Sequence, residues 1–211
     1  MAGDWPSPPY RVETPRTVIR VYEPGDVDAL HAAIGANVEA LRPTMPWIAD
    51  EPLSRGARAE VLRSFRGWAD LGTNFIFGVF GRDGGFLGGT GLHPRQGPGT
   101  LEIGYWIIQA RWGEGLATEI AAAMTQSGLR WMGASRVEIR TDTTNLASAR
   151  VAEKLGYRHE GTLRGVGTPI GDRPAPDLHV FGMLEAELDG SPADEVRIRE
   201  VGFAGAASTA D

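Results

Sequence analysis

Two short segments carry residue types whose spacing can do chemistry. Trp112-Gly113-Glu114-Gly115-Leu116-Ala117-Thr118 stands between a strand-like run and a helix-like run. A helix N-terminus leaves backbone N–H groups unpaired and carries partial positive charge, so it attracts an anion. Glycines let a bulky diphosphate approach the backbone closely, and Thr118 can add a hydroxyl donor. The same two glycines also suit a bare strand-to-helix turn with no ligand. The second segment begins Asn145-Leu146-Ala147-Ser148 and ends Glu153-Lys154-Leu155-Gly156-Tyr157. Asn145 and Ser148 lie one turn apart on one side of a helix start. Gly156 follows as a left-handed terminator. Read alone, Asn145 is equally an N-cap and Ser148 a solvated helix residue.

The elements that must position these residues follow from periodicity. Thr17–Tyr22 reads as a short strand. Helices are predicted from Pro24 to Leu41, with Val27, Leu30, Ile34, Val38 and Leu41 at helical spacing, and from Ser54 to Ala69, with Val61, Leu62, Phe65 and Trp68 on one face. Strands at 74–80, 86–93 and 100–108 form a meander, with Arg82-Asp83-Gly84-Gly85 as a hairpin turn. Then come helix 115–132, strand 136–141, helix 147–155 and strands 158–164 and 178–185. The order implies a single α/β (α+β) domain over 17–188, with a mixed sheet of about seven strands and about four helices. Residues 1–16 read as an irregular, Pro-rich arm and 189–211 as a mobile tail.

Composition narrows the function classes. With no cysteine among 211 residues, disulfides, zinc–cysteine sites and a thiol nucleophile are excluded. A net charge of -6 and a pI near 5.3 argue against nucleic acid, whose partners are usually basic. Met1–Arg11 has no apolar run of signal-peptide type, and no stretch is long and apolar enough for a membrane span. The expected location is therefore cytoplasmic. His31, His93, His159 and His179 show no metal spacing, so no metal is expected. A dinucleotide-binding reading of the glycine loop is disfavoured. Thr118 replaces the third glycine of that fingerprint, and the loop follows a meander rather than the first strand of a βαβ series.

Taken together, the two segments resemble the GNAT superfamily of N-acyltransferases, in particular its RimJ/RimL-type ribosomal-protein N-terminal acetyltransferases. The resemblance covers about 17–185, and its parts come in the family's order. Leu101-Glu102-Ile103-Gly104-Tyr105-Trp106 is similar to the central strand, Trp112 to Ala117 to the pyrophosphate loop, and Asn145 to Tyr157 to the coenzyme A helix. Glu160 to Arg164 is similar to the strand opening that follows. One departure is Trp112, where the family commonly has Gln or Arg; phosphate binding would rest on backbone amides and Arg111.

The resemblance implies transfer of an acyl group, acetyl in the first instance, from acetyl-CoA or another acyl-CoA such as succinyl-CoA. The acceptor would be a primary amine on a protein N-terminus or a small molecule. It also implies a splay between the central and next strands that admits pantetheine. Cofactor contacts are then expected at Trp106, Ile107, Ile108, Trp112, Gly113, Gly115, Ala117, Thr118, Asn145 and Ser148, with a free N–H of Ile107 or Ile108 for the oxyanion. Strand alternation puts Glu102, Gly104 and Trp106 on one face. Glu102 is the candidate base, and Ser148 the candidate acid, with Tyr157 as its rival. Trp47, Glu102 and His93 are expected on the acceptor side, and the loop 165–177 with Asp172 and Asp177 on the opposite wall. A homodimer is among the assemblies allowed. A non-catalytic acyl-CoA-binding module is the competing reading.

Overall fold

The computed structural model describes residues 5, 6 and 8–202 and the backbone of 207–209. In chain order the strands are β1 (Arg11–Glu13), β2 (Thr17–Val21), β3 (Phe75–Gly81), β4 (Phe86–His93), β5 (Thr100–Ile107), β6 (Arg136–Asp142), β7 (Arg158–Leu163), β8 (Leu178–Leu184), β9 (Arg199–Val201) and β10 (Ala207–Thr209). The helices are α1 (Val27–Leu41), α2 (Arg55–Asp70), α3 (Leu116–Gln126), α4 (Leu146–Lys154) and a single turn, α5 (Glu185–Leu188). The strands form one sheet in the order β10-β9-β1-β2-β3-β4-β5-β6-β8-β7. Among the described residues, only the β5/β6 pairing is parallel. It joins strands separated by a helical crossover, as parallel pairing requires.

Both faces of the sheet are covered, and the near-continuous apolar run of β3 is the sequence mark of that burial. On one face Phe75, Phe77, Val79, Leu92, Leu101 and Ile103 pack with Leu116 and Ile120 of α3 and Ala149 and Ala152 of α4. On the other, Tyr22 joins Val27, Leu30, Ile34 and Leu41 of α1, Leu62 of α2, and Ile48. Ser54 caps α2 by accepting from the Ala57 N–H at 3.2 Å. Trp68, expected on the buried face of α2, is 41% exposed at its far end. No helix among the described residues is long and apolar enough to cross a membrane.

Both ends of the chain join the sheet, so the ten strands exceed the expected seven. Arg11–Glu13 pairs with β2 and with β9. Residues 189–202, read as tail, dock on the end of α3. Gln126 donates to the carbonyls of Ala193 and Val196, each at 2.8 Å, and Ser127 donates to buried Glu200 at 2.5 Å. Three-residue strands are too short to show a period, so only long-range pairing reveals them. Residues 1–4, 7, 203–206, 210 and 211 of the arm and tail lie outside the described residues. The helix expected over 115–132 ends as α at Gln126 and continues as a π-type turn from Ser127 to Trp131. Gly128 lies there against Val137, where a Cβ would come within 2.9 Å of the valine methyl.

A bulge in β4 shapes the centre. The β3/β4 register slips between Val79 and Phe80, leaving Leu87 as the extra residue before Gly88. A Cβ on Gly88 would lie 2.1 Å from the Trp106 carbonyl oxygen, so β4 and β5 approach here as only glycine allows. Gly88→Ala must part the strands. We expect it to lower the unfolding free energy by about 1–3 kcal/mol in urea titrations, as overpacking does; Gly84→Ala, in the open hairpin turn, should cost less.

Candidate active site

The central feature is a gap. β5 and β6 share only three pairs, Thr100↔Arg136, Leu101↔Val137 and Glu102↔Glu138. Both strands run on, β5 with β4 as far as Ile107↔Gly88 and β6 with β8 as far as Asp142↔Leu178. Beyond Glu102, peptide groups of β5 that point away from β4 have lost their neighbour. Ile108 is not among them: its N–H donates to the Leu87 carbonyl at 2.9 Å. This removes Ile108 as the expected oxyanion donor. Strand alternation turns the Ile107 peptide group the other way. Its carbonyl accepts the Trp112 indole N–H at 2.8 Å, which anchors the glycine loop to the end of β5.

The loop is set by both glycines. Gly113 and Gly115 have φ of 81° and 77°, the left-handed region, and α3 starts at Leu116. Buried Asn37 of α1 accepts from the Gln109 N–H at 2.7 Å and fixes the loop's entry. Arg16 braces its exit: the guanidinium donates to the Glu114 carbonyl at 2.8 Å and pairs with Glu119 at 2.5 Å. Glu119 also accepts from Thr14 at 2.5 Å and from the Arg16 N–H at 2.9 Å. A cleft of about 540 Å³ opens beside Gly115 and Thr118, and Arg16, Lys154 and Arg197 line it. Glu119 and Glu195 line it too, and Glu119 is paired with Arg16, so Lys154 and Arg197 beside the helix N-terminus are the groups that suit phosphates. Arg111, expected to help there, is paired with Glu114 at 2.8 Å.

The α4 side of the gap carries hydroxyls. Asn145 caps α4 by accepting from the Ser148 N–H at 3.2 Å. Ser148 Oγ lies 2.9 Å from the Tyr105 hydroxyl, a link from α4 to β5. Burial pushes the Tyr105 phenol up to about 12, against the opposing Ser148 hydrogen bond. Tyr157 is no part of this wall. It is buried in the core and its hydroxyl lies 2.6 Å from Thr125 Oγ1, so it is withdrawn as the rival acid.

The face toward α1 and α2 is floored by glycine. Gly78 pairs with Gly89, and Gly91 with Gly104. Aromatic rings lie where side chains would otherwise stand: an added Cβ would meet the Trp106 indole nitrogen at Gly89, at 2.7 Å, and His93 at Gly91 and Gly104. Trp106, expected beside the cofactor, is therefore on this opposite face, its ring 5.8 Å from that of Trp47. Glu102 is buried here and bound by Arg95, with Gln96 Nε2 at 2.5 Å. Burial raises its pKa, but the Arg95 hydrogen bond and charge, with Gln96, outweigh this and hold the carboxyl below its ordinary value. Both of its oxygens are thus already taken up by Arg95 and Gln96, and an incoming amine would have to displace one of them. His93, cross-strand from Glu102, has Nδ1 2.7 Å from Asn74 Oδ1.

The structure thus gathers Trp112, Gly113, Gly115, Ala117 and Thr118 at the loop, Asn145 and Ser148 at α4, and Trp47, His93, Glu102 and Trp106 on the far face. In the loop 165–177, Asp177 accepts from the Gly165 N–H at 2.8 Å and so closes the loop's own base. Sequence reasoning missed Arg16, Asn37, Asn74, Arg95 and Tyr105. Tyr105 alternates with Glu102 and Trp106 along one strand, which was a usable signal. Arg16, Asn37 and Asn74 act across long sequence separations, and Arg95, only seven residues from Glu102, lies in a turn that no period marks.

Glu119 gives a test of the brace. Burial raises its pKa, but its bonds to Thr14 and Arg16 prevail and the net shift is downward. A folded pKa below the unfolded one adds stability above about pH 4.3, lost as pH falls through the folded pKa. Glu119→Gln should therefore lower stability at pH 7 by about 1–3 kcal/mol. The difference from the parent should shrink below pH 4.5 in thermal melts; a constant difference would refute the charged brace.

Similarity to known proteins agrees with this geometry. Residues 16–158 match the family model described as acetyltransferase (GNAT) domain. YkkB of Bacillus subtilis is 37% identical over 91 residues, 42% of this chain and 53% of YkkB, so the chain spans about half of that relative. The N-acetyltransferase YoaA of the same organism is 30% identical over 181 residues, 82% of this chain and 96% of YoaA. Among solved structures, Mycobacterium smegmatis RimJ in complex with CoA-disulfide superposes with a TM-score of 0.75 at 23% identity, covering 92% of this chain and 95% of that one. RimL, described as a ribosomal alpha-N-protein acetyltransferase in complex with coenzyme A, gives 0.73 at 17% identity over 81% and 95%. The gap, the glycine loop and the matched length place one conclusion beyond the fold alone: the chain belongs to the GNAT acetyltransferase family.

Proposed function

We propose that the protein transfers acetyl from acetyl-CoA to a primary amine, on a protein N-terminus or a small molecule. The observation that carries this is the β5/β6 ladder ending at Glu102↔Glu138 next to a glycine loop that opens α3. An extended pantetheine arm can take the unpaired peptide groups, and the loop amides with the basic cleft can take the phosphates. The bound co-substrate supplies an activated thioester carbonyl. The Ile107 N–H, turned into the gap, is the donor for the developing oxyanion. The Tyr105–Ser148 pair supplies a proton for the leaving thiolate. Tyr105 stays protonated across physiological pH, so the proton passes through Ser148 and is restored from solvent. The acceptor enters over the glycine floor from the Trp47 side. RimL, a fold relative, acts on a protein α-amine, which makes peptide N-termini the first acceptors to try. Succinyl-CoA is the donor to test beside acetyl-CoA.

The reading predicts that acetyl-CoA raises the melting temperature, worth about 2.7 kcal/mol at a hundredfold excess over Kd. Gly115→Glu, folded by circular dichroism, should lose that shift. No shift in the parent at millimolar ligand would refute the reading. For the acid, Ser148→Ala and Tyr105→Phe should each lower kcat about tenfold or more in a thiol-release assay, with the Kd for acetyl-CoA unchanged. A weaker Kd with unchanged kcat would make the pair a binding contact instead.

A further inference from the structure

The proton acceptor expected from sequence, Glu102, is held by Arg95 and Gln96. Another group faces the same place, and among the described residues one of its nitrogens has no hydrogen-bonding partner. His93 ends β4, directly across the ladder from Glu102. Its Nδ1 lies 2.7 Å from Asn74 Oδ1. An amide oxygen only accepts, so this contact is a hydrogen bond in the tautomer that carries the proton on Nδ1 and keeps the lone pair on Nε2. That Nε2 lies over the glycine floor: a Cβ on Gly91 would come within 2.9 Å of it, and one on Gly104 within 3.1 Å. Gly104 is two residues beyond the last β5/β6 pair, Glu102↔Glu138, where the gap begins. The lone pair therefore stands where the gap opens toward the acceptor face.

Resting on the acetyltransferase reading above, we propose that His93 Nε2 accepts the proton of the attacking amine, with Asn74 as the positioning residue that fixes the tautomer. The amine arrives neutral, having lost its first proton to solvent. Its nitrogen bonds to the thioester carbon, the carbon–sulfur bond breaks, and the surplus N–H proton moves to His93 Nε2, directly or through one water. The thiolate takes its proton from the Tyr105–Ser148 pair, and His93 returns its own to solvent. The products are the amide and the free thiol, so protons balance.

The surroundings keep the imidazole neutral. Burial, then the Arg95 charge, pushes it down to about 4, with Glu102 opposing. The charged groups acting on the ring are thus Arg95 and Glu102, which pair with each other, and Asn74 is its uncharged partner. So weak a base does not strip a stable ammonium ion. It takes the proton after attack, when bonding to the acyl carbon has made the nitrogen far more acidic. The lone pair is therefore free over the whole neutral range.

Two measurements decide it. In a long-range proton–nitrogen spectrum of histidine-labelled full-length protein, assigned with His93→Gln, His93 should carry its proton on Nδ1 and none on Nε2 from pH 6 to 9. Asn74→Ala should remove this preference. A proton on Nε2 in the parent overturns the inference without any substrate. In thiol-release assays over an amine panel, His93→Gln should lower kcat about 100-fold with the Kd for acetyl-CoA and the melting temperature unchanged. Added imidazole should restore part of the rate to His93→Ala, since Gly91 and Gly104 leave room for it. Full activity in His93→Gln beside an active parent overturns this inference alone. An inactive parent over the whole panel overturns the acetyltransferase reading and this inference with it.

Discussion

A sheet that stops pairing in its own middle must give its peptide groups another partner, and that constraint organises this protein. Buried backbone groups left unpaired cost about as much as a lost hydrogen bond each, so a gap persists only where the surroundings enforce it. Here three ties do so. The β4 bulge draws β5 toward Leu87 through the Ile108 N–H. The Trp112 indole holds the Ile107 carbonyl. Asn37 of α1 holds the Gln109 N–H just beyond. Each keeps β5 on the β4 side while β6 follows β8. The opening is thus built into the fold before any ligand arrives.

The gap divides labour between the two faces. On the α3/α4 face lie the loop amides, the cations Arg16 and Lys154, and the Tyr105–Ser148 hydroxyls. On the α1/α2 face lie neutral rings over glycine. The overall charge of -6 is no guide to either. Local fields matter more: Lys154 and Arg197 stand beside the N-terminus of α3, while Arg16 is paired with Glu119 and Arg95 with Glu102. An acidic protein can therefore carry a locally basic cleft beside a face of uncharged rings.

The ends of the chain turn out to be working parts. Thr14 and Arg16 fasten the arm to Glu119, in the first turn of α3, where a carboxylate also complements the helix dipole. Because Arg16 simultaneously binds the Glu114 carbonyl, the arm holds the glycine loop in shape. Residues 193–200 clasp the other end of the same helix through Gln126 and Ser127. The helix that presents the loop is thereby fixed at both ends by segments far away in sequence.

What the sequence by itself determined was local and periodic. Helices α1, α2 and α4, the β3–β5 meander and the strands after it were legible because apolar spacing is a nearest-neighbour property. The loop at Gly113 and Gly115 was legible because left-handed φ leaves glycine as its mark, and the family followed from those motifs in order. Only the tertiary structure decided which groups meet. Glu102 looked like a base until Arg95, seven residues away across a turn, was seen to neutralise it. Tyr157 stood as a rival acid to Ser148, with a core aromatic as the alternative, and packing against Thr125 makes it the core residue. His93 met Asn74, nineteen residues earlier, only on folding. The protonation state and aim of a side chain depend on charges and donors brought close by folding, and no periodicity in one strand records who stands opposite.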